Sequence, residues 1–275
     1  MDFVELTAQC NAQFVEIIMA EMSVLGFNSM IETDDGFKAY IEEAHFSAQD
    51  VDEIVSRYPD AKISYSTTKM PIVNWQEEWE KHYDPVDIAG KCLIRASFHE
   101  PSDRHAYEIV INPQMSFGTG HHPTTYLMIL SQLEIDHQGE KVMDVGCGTA
   151  ILSIMASKLG ASRVEAFDNH EWSIKNGAEN IELNQCTNIH IWTGEISQLE
   201  SKGGYGIILA NISKNVVNND MATYAENLRE GGFLVLSGFY ENDIEALVKT
   251  AATLGFTKTN QHLKEDWAAV TFKKG

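Results

Sequence analysis

The stretch Lys141-Val-Met-Asp-Val-Gly-Cys-Gly-Thr-Ala150 predicts a short buried strand that ends in a tight turn. Apolar residues at helical spacing then continue over 151–159, and Gly160 ends that pattern. Gly146 and Gly148 let the backbone turn sharply and approach a ligand closely, because neither residue carries a Cβ. The stretch therefore predicts the opening strand-turn-helix unit of a doubly wound α/β sheet, with a nucleotide-like ligand at its turn.

A second acidic position supports a nucleotide-like ligand. Asp168 ends the run Arg163-Val-Glu-Ala-Phe-Asp168, and an acid about twenty residues after such a turn commonly accepts hydrogen bonds from a ribose. A nicotinamide-binding turn would have a third glycine where Ile151 stands, which disfavours that cofactor. A turn without a ligand remains the alternative, and the spacing of Asp168 counts against it. The acid two residues before the first glycine, Asp144, resembles motif I of class I S-adenosylmethionine-dependent methyltransferases.

The composition indicates a globular protein with an acidic surface. The chain has 275 residues, enough for about two domains, and a formal net charge of -20 at pH 7. Such a charge repels phosphate backbones and attracts cations, which favours a basic protein partner over direct nucleic-acid binding. Acidity that serves solubility alone explains the composition equally well.

Neither export nor membrane insertion is predicted. The N-terminus lacks the basic region and apolar core of a signal peptide, and no window approaches the roughly 18 uninterrupted apolar residues of a membrane span. We therefore expect a cytoplasmic protein without membrane contact. No metal site is expected either, because the cysteines are dispersed and none is at metal-site spacing. They are Cys10, Cys92, Cys147 and Cys186.

Residues 1–70 predict a small domain of their own. The pattern runs strand, helix, strand, strand, helix, strand, and a hairpin turn signal at Asp34-Asp35-Gly36 joins the second and third strands. This order is that of a ferredoxin-like α+β sandwich, a module that commonly binds or positions something. The predicted strands are 3–7, 29–32, 37–42 and 62–67, and the predicted helices follow Asn11 and Ser47.

Residues 71–100 predict a linker with a short helix, in which Trp75 and Trp79 stand one helical turn apart. We expect both rings to bury against a domain.

Residues 101–275 predict the larger domain, whose strands alternate with helices and so form a mostly parallel sheet. The later predicted strands are 188–192, 205–211, 232–236 and 267–272, and the later helices are 171–183, 221–228 and 244–254. Ligands of such sheets bind beyond the carboxyl ends of the strands. The residues that fall there are Gly146, Asp168, Glu195 and Asn211.

The run Phe117-Gly-Thr-Gly-His-His-Pro-Thr-Thr125 predicts a loop before a helix. Its glycines, Gly118 and Gly120, give a mobile loop that could close over a ligand. His121 and His122 are adjacent and cannot easily chelate one ion from a helix, so hydrogen bonding or exposure is expected of them.

This loop, the turn 144–148 and the later pair Asn211-Ile212 together resemble the ribosomal protein L11 methyltransferase family, also called PrmA. The resemblance covers nearly the whole chain. It implies a class I (Rossmann-like) methyltransferase sheet preceded by an N-terminal ferredoxin-like domain that recognises the substrate. It also implies S-adenosylmethionine as the cofactor and the basic large-subunit protein L11 as the substrate, methylated on lysine side-chain and N-terminal amines.

The resemblance assigns cofactor-binding positions to Phe117, Thr125, Gly146, Gly148, Asp168 and Asn211. Phe117 belongs to the loop that covers the ligand in that family. Three segments depart from the family pattern. They are Gly148-Thr149-Ala150 for Gly-Ser-Gly, Asp168-Asn169-His170-Glu171 for Asp-Ile-Asp-Pro, and Trp79-Glu80-Lys81 for Trp-Lys.

The chemistry of amine methylation gives Asn211 a role. A lysine has a reference pKa of about 10.4 and must lose its proton before its lone pair can attack a methyl group. Desolvation beside a cationic sulfonium favours that loss. We expect Asn211 to be the catalytic residue, accepting a hydrogen bond from the amine and orienting its lone pair. The aromatic residue of the Asn-Pro-Pro-Tyr motif of other amine methyltransferases is absent, since this chain has Asn211-Ile-Ser-Lys214.

Two other functions remain open. One is a class I methyltransferase acting on RNA or on a small molecule, and the other is a binding module that has lost its chemistry. The net acidity and the lack of basic or aromatic RNA-binding runs count against RNA. Intact motif residues count against lost activity. They are Asp144, Gly146, Gly148, Asp168 and Asn211.

Overall fold

The computed structural model describes residues 3–70, 83–112, 118–198 and 204–275. The chain divides into two compact units, Met1–Tyr83 and Asp84–Gly275. The division falls inside the segment 71–100 that the sequence assigns to a linker. The predicted linker helix with its two tryptophans lies outside the described residues. Among the helices of the described part, none is long and apolar enough to cross a membrane.

The first unit is a four-stranded antiparallel sheet with two helices. The sheet has the order β2-β3-β1-β4, which is the ferredoxin-like order that the βαββαβ pattern predicts. Helix α2 begins where the Ser47 side chain accepts a hydrogen bond from the Asp50 N–H, and it buries Val51 and Ile54. The elements are β1 Phe3–Gln9, α1 Val15–Val24, β2 Ser29–Thr33, β3 Gly36–Glu42, α2 Ala48–Arg57 and β4 Ser64–Met70, with 3₁₀ turns at Ala12–Phe14, Glu43–His45 and Pro59–Ala61.

The second unit is built on a seven-stranded sheet of order β10-β9-β8-β11-β12-β14-β13. Strands β8 to β12 are parallel to one another, and β14 pairs antiparallel with both β12 and β13. The strands are β8 Lys141–Val145, β9 Arg163–Asp168, β10 Ile189–Thr193, β11 Tyr205–Asn211, β12 Leu228–Tyr240, β13 Phe256–Lys264 and β14 Trp267–Lys274. The helices are α3 Pro123–Gln132, α4 Ile151–Lys158, α5 Glu171–Leu183, α6 Lys214–Asn227 and α7 Ile244–Thr253, with 3₁₀ turns at Ile196–Gln198 and Glu241–Asp243.

Three features of the second unit differ from the sequence prediction. Strand β13 was not predicted, helix α6 begins at Lys214 rather than at 221, and β12 extends well beyond 232–236 on both sides. A small sheet of order β5-β6-β7 was also missed. Its strands are β5 Val86–Ile88, β6 Cys92–Arg95 and β7 Tyr107–Val110. Residues 84–100 therefore contain two strands of this unit, where the sequence predicted a linker.

Strand β8 is the centre of the second unit. Its side chains alternate between two apolar clusters, with Val142 in one and with Met143 and Val145 in the other. A strand that is buried on both faces is mostly apolar, and here the buried Asp144 is the only exception within residues 142–145. The chain continues to β9 on one side of β8 and later to β11 on the other, so the sheet order reverses at β8. In such sheets a crevice for ligands opens at that point, beyond the carboxyl ends of the strands.

One close backbone contact holds the carboxyl ends of β11 and β12 together. Gly238 has a φ of +95° in β12, and a Cβ at this position would lie 2.1 Å from the carbonyl oxygen of Ile212. A real Cβ cannot approach backbone that closely, so only glycine allows the two segments to lie at this distance. Gly255 has a similar φ of +83°, but a Cβ there would meet no atom within 4 Å.

We predict that Gly238→Ala lowers the free energy of unfolding by about 3 kcal/mol or more, since it combines backbone strain with a clash. Gly255→Ala is the matched control, with the strain alone, and should cost about 1 kcal/mol. Urea unfolding of both variants measures the difference. Equal losses would mean that the contact with Ile212 contributes nothing.

Candidate active site

The glycine turn after β8 is fixed to the end of β9. Gly146 and Gly148 have φ values of +68° and +52°, in the region that favours glycine. The N–H groups of Gly146 and Cys147 donate to the carbonyl oxygen of Phe167, at 2.9 and 3.0 Å. A Cβ on Gly146 would lie 2.5 Å from the Ile212 side chain. The turn can therefore lie close to a ligand and to the segment after β11 at the same time.

Asp168 is positioned by the same turn. One carboxylate oxygen accepts a hydrogen bond from the Gly148 N–H at 3.1 Å, and the other accepts one from the His170 N–H at 3.0 Å. A carboxylate has about four acceptor sites, so two or more remain for a ligand. The side chain is buried at the end of β9 and lines a cavity.

The cavity beside this turn has a volume of about 560 Å³. That volume lies within the roughly 300–1,000 Å³ typical of pockets for small ligands and cofactors. Five of the six cofactor positions that the resemblance assigns are brought together here, and the sixth, Phe117, lies outside the described residues. The five are Thr125, Gly146, Gly148, Asp168 and Asn211, and the other lining residues are Gly118, Cys147, Ile151, Leu152, Asn169, His170, Trp172, Ser173, Ile212 and Ser213.

Two polar atoms of this wall have no hydrogen-bond partner within the described part of the chain. The Thr125 hydroxyl oxygen and the Asn211 side-chain oxygen are both buried, and neither has a hydrogen-bond partner among the described residues. An unsatisfied buried polar group costs about 1–3 kcal/mol, so such atoms are commonly found where a ligand or ordered water completes the structure. Thr125 comes from α3 and Asn211 from the end of β11, so the two atoms approach the cavity from different elements.

A second cavity of about 390 Å³ adjoins the first. The two share Gly146 and Asp168. Glu195, which the sequence placed at this edge of the sheet, lines the second cavity together with Asp220. Burial and the Glu195 carboxylate raise the pKa of Asp220. The two cavities together thus form an acidic site that suits a ligand with a positive charge.

The histidines of the loop before α3 make structural contacts. The His122 ring nitrogen Nδ1 accepts a hydrogen bond from the Thr124 N–H and caps α3, and its ring lies edge-on to Trp267. His121 Nε2 lies 2.8 Å from the carbonyl oxygen of Asp84. Within the described residues, no group of three or more His, Cys, Asp or Glu side chains could hold a metal ion.

Several wall residues were missed by sequence reasoning. Ile212 and Ser213 follow Asn211 directly, and their place after a strand of this sheet was the available signal. Trp172 lies in the first turn of α5, where its ring is about half exposed while lining the cavity. No sequence pattern distinguishes it from an ordinary helix residue.

Asp144 is fully buried below the turn. One carboxylate oxygen accepts a hydrogen bond from the Ser153 hydroxyl at 2.5 Å, and the other has no partner among the described residues. Burial raises the pKa of Asp144 to about 7, against the opposing effect of the Ser153 hydrogen bonds. Burial therefore favours the protonated, neutral form of this carboxyl group.

Comparison with known proteins gives one consistent result. A family model described as ribosomal protein L11 methyltransferase (PrmA) matches residues 6–275. Proteins named ribosomal protein L11 methyltransferase from Phocaeicola vulgatus and Porphyromonas gingivalis are 38% and 40% identical to this chain. The alignments cover 97% and 94% of this chain and 96% and 90% of those proteins.

A solved structure is similar as well. The ribosomal protein L11 methylase from Lactobacillus delbrueckii subsp. bulgaricus superposes with a TM-score of 0.64 and 24% identity, covering 70% of this chain and 100% of that one. At this identity the superposition shows a shared fold. The predicted class I methyltransferase sheet is thereby confirmed.

We predict that Asp144→Asn changes how stability depends on pH. The pKa of Asp144 is raised from 3.8 to about 7, so its contribution to stability is complete below pH 4 and is lost as the pH rises through 7. The stability of the variant relative to the wild type should therefore rise between pH 4 and pH 8, by about 4 kcal/mol. Urea unfolding from pH 4 to 8 tests this.

Asp103→Asn removes an exposed carboxylate and controls for the change in net charge. If the Asp144→Asn and wild-type stabilities stayed parallel across this pH range, the carboxyl group would not titrate as described.

Proposed function

The chain belongs to the ribosomal protein L11 methyltransferase family, and on that premise we propose that it methylates ribosomal protein L11 with S-adenosylmethionine as methyl donor. The acceptors are lysine side-chain and N-terminal amines. One observation carries the proposal: the Thr125 and Asn211 oxygens, both without partners among the described residues, line one cavity with Asp168 at the carboxyl ends of β8, β9 and β11. A cytoplasmic location is part of the proposal.

The residues of the cavity fit S-adenosylmethionine. Gly146 and Gly148 allow close backbone approach, Asp168 has free acceptor sites for ribose hydroxyls, and the Thr125 hydroxyl can bond a polar ligand atom. The Asp168 and Glu195 carboxylates give the site a negative potential that attracts a sulfonium cation. When bound, S-adenosylmethionine supplies a methyl group already activated by that cation.

Asn211 then acts on the acceptor amine. Its side-chain oxygen is an acceptor without a partner among the described residues, so it can take a hydrogen bond from a neutral amine and orient the lone pair. The amine must be deprotonated first, and a buried position beside a cation lowers its pKa in the required direction. The protein's contribution is thus to hold, orient and desolvate the amine.

Charge supports a basic protein as the substrate. The chain carries a formal net charge of -20, and an acidic surface raises the local concentration of a basic partner. The same charge disfavours direct nucleic-acid binding. We assign substrate recognition to the predicted domain of residues 1–70, which belongs to the first unit. The described cofactor positions all lie in the second unit.

The experiment is incubation of the protein with radiolabelled S-adenosylmethionine and separated ribosomal proteins and RNA. We predict label in L11 and in no other component. Label in RNA would support the alternative of an RNA methyltransferase, and binding without transfer would support a module that has lost its chemistry.

The same assay tests the first unit. A chain that begins at Asp84 should still bind S-adenosylmethionine but should methylate L11 poorly, because it lacks the unit that holds the substrate near the site. Transfer at the rate of the full chain would remove the substrate-recognition role.

Two variants separate catalysis from cofactor binding. Asn211→Ala should lower the single-turnover rate of methyl transfer by about 100-fold, the size of effect expected when a reacting group is misplaced. Asp168→Ala should instead raise the dissociation constant of S-adenosylmethionine, measured by calorimetry. A wild-type single-turnover rate in Asn211→Ala would exclude the orienting role.

A further inference from the structure

Helix α5 completes the free edge of strand β7 with asparagine side chains. In β7 and the residues after it, alternate N–H groups bond to the β6 side, such as Ile111 to the Arg95 carbonyl oxygen at 2.8 Å. The N–H groups of the residues in between point away from β6. The Val110 N–H donates to the Asn184 side-chain oxygen at 2.9 Å, and the Asn184 amide donates back to the Val110 carbonyl oxygen at 2.6 Å.

The next asparagine on α5 repeats this contact. The Asn112 N–H donates to the Asn180 side-chain oxygen at 2.8 Å. A side-chain amide offers one acceptor and donors, like a peptide group. Four residues of helix rise about 6 Å and two residues of strand about 6.6 Å, so asparagines four apart match alternate strand residues. The amides of Asn180 and Asn184 therefore take the place of a neighbouring strand.

Asn180 has a second contact that Asn184 lacks. Its side-chain NH₂ donates to the carbonyl oxygen of Thr149 at 3.1 Å, inside the glycine turn of the cofactor cavity. The Thr149 hydroxyl in turn donates to the carbonyl oxygen of Gly118 at 2.6 Å. Asn180 and Thr149 are both fully buried, and Gly118 lines the cavity.

A single chain of hydrogen bonds thus runs from Asn112 through Asn180 and Thr149 to Gly118. The Thr149 carbonyl oxygen accepts the hydrogen bond from Asn180, and the Thr149 hydroxyl donates to Gly118. The glycine turn and Gly118, which both line the cavity, are therefore held at a fixed separation.

We propose that Asn180 and Thr149 are positioning residues for the methyl donor, which set the distance between the glycine turn and Gly118. Neither residue lines the cavity, so they act through Gly118 and the turn. The inference rests on the proposed function, because it takes S-adenosylmethionine to be the ligand of this cavity.

Asn180→Ala and Asn184→Ala form a matched pair. Both remove a side-chain amide that completes the β7 edge from the same helix, and both should lower the thermal unfolding midpoint. Only Asn180→Ala should also raise the dissociation constant of S-adenosylmethionine, by about tenfold in calorimetry, the effect of losing one buried hydrogen bond. The KM for L11 should not change in either. Equal weakening in both variants would reduce Asn180 to a structural role.

Thr149 gives an independent test if Asn180→Ala fails to fold. Thr149→Val keeps the shape and removes the hydroxyl, and it should weaken S-adenosylmethionine binding by about tenfold. Thr149→Ser should restore affinity, because the hydroxyl returns. Ser157→Ala removes a comparable hydroxyl bond to Asn188, away from the cavity, and should leave affinity unchanged.

Each outcome has one meaning. Wild-type affinity in Thr149→Val, or failure of Thr149→Ser to restore it, would overturn the positioning role. If the wild-type protein itself did not bind S-adenosylmethionine, the proposed function would fail instead, and the two failures are therefore distinguishable.

Discussion

The left-handed turn between β8 and α4 is the constraint on which the second unit depends. A chain of L-residues rarely adopts positive φ, and here it does so at the three alternate positions Gly146, Gly148 and Ala150. That geometry lets two consecutive N–H groups reach the end of β9, and it lets a third reach Asp168. The turn therefore joins the first two strands of the sheet and orients the acid of the site.

Burial of polar groups follows from this turn. Asp144, Thr149 and Asn180 are all fully buried around it, although polar groups are costly to remove from water. Most of their atoms are satisfied by the backbone of the turn and by its neighbours. The buried atoms with no partner among the described residues include the Thr125 hydroxyl, the Asn211 side-chain oxygen and one oxygen of Asp144, which lie at or below the cavity. These buried polar groups thus fix the geometry of the site.

Sequence alone predicted the parts of the fold that depend on local pattern. The turn 146–148 and Asp168 were recognised because glycine spacing and a following acid are visible along the chain. Strand β13 was not, since its residues are mostly exposed and show no apolar alternation. The small sheet β5-β6-β7 was missed because its short strands resemble loops. The asparagines of α5 were missed for another reason, since their partners stand 68 to 74 residues away.

The departure Ala150 shows how the turn and α5 depend on each other. Ala150 has a φ of +62° and a buried methyl group, where the family pattern has a glycine. Room for that methyl group exists because α5 carries Gly177 opposite it. A Cβ at position 177 would lie 3.3 Å from the Ala150 Cβ and 3.1 Å from the carbonyl oxygen of Gly148. Since Gly177 lies less than one turn before Asn180, the close approach that it permits also brings the Asn180 amide to Thr149. Helix α5 therefore packs closely on the turn at Gly177, which has no side chain, and hydrogen-bonds to it through the Asn180 amide. Both residues set the distance between α5 and the turn.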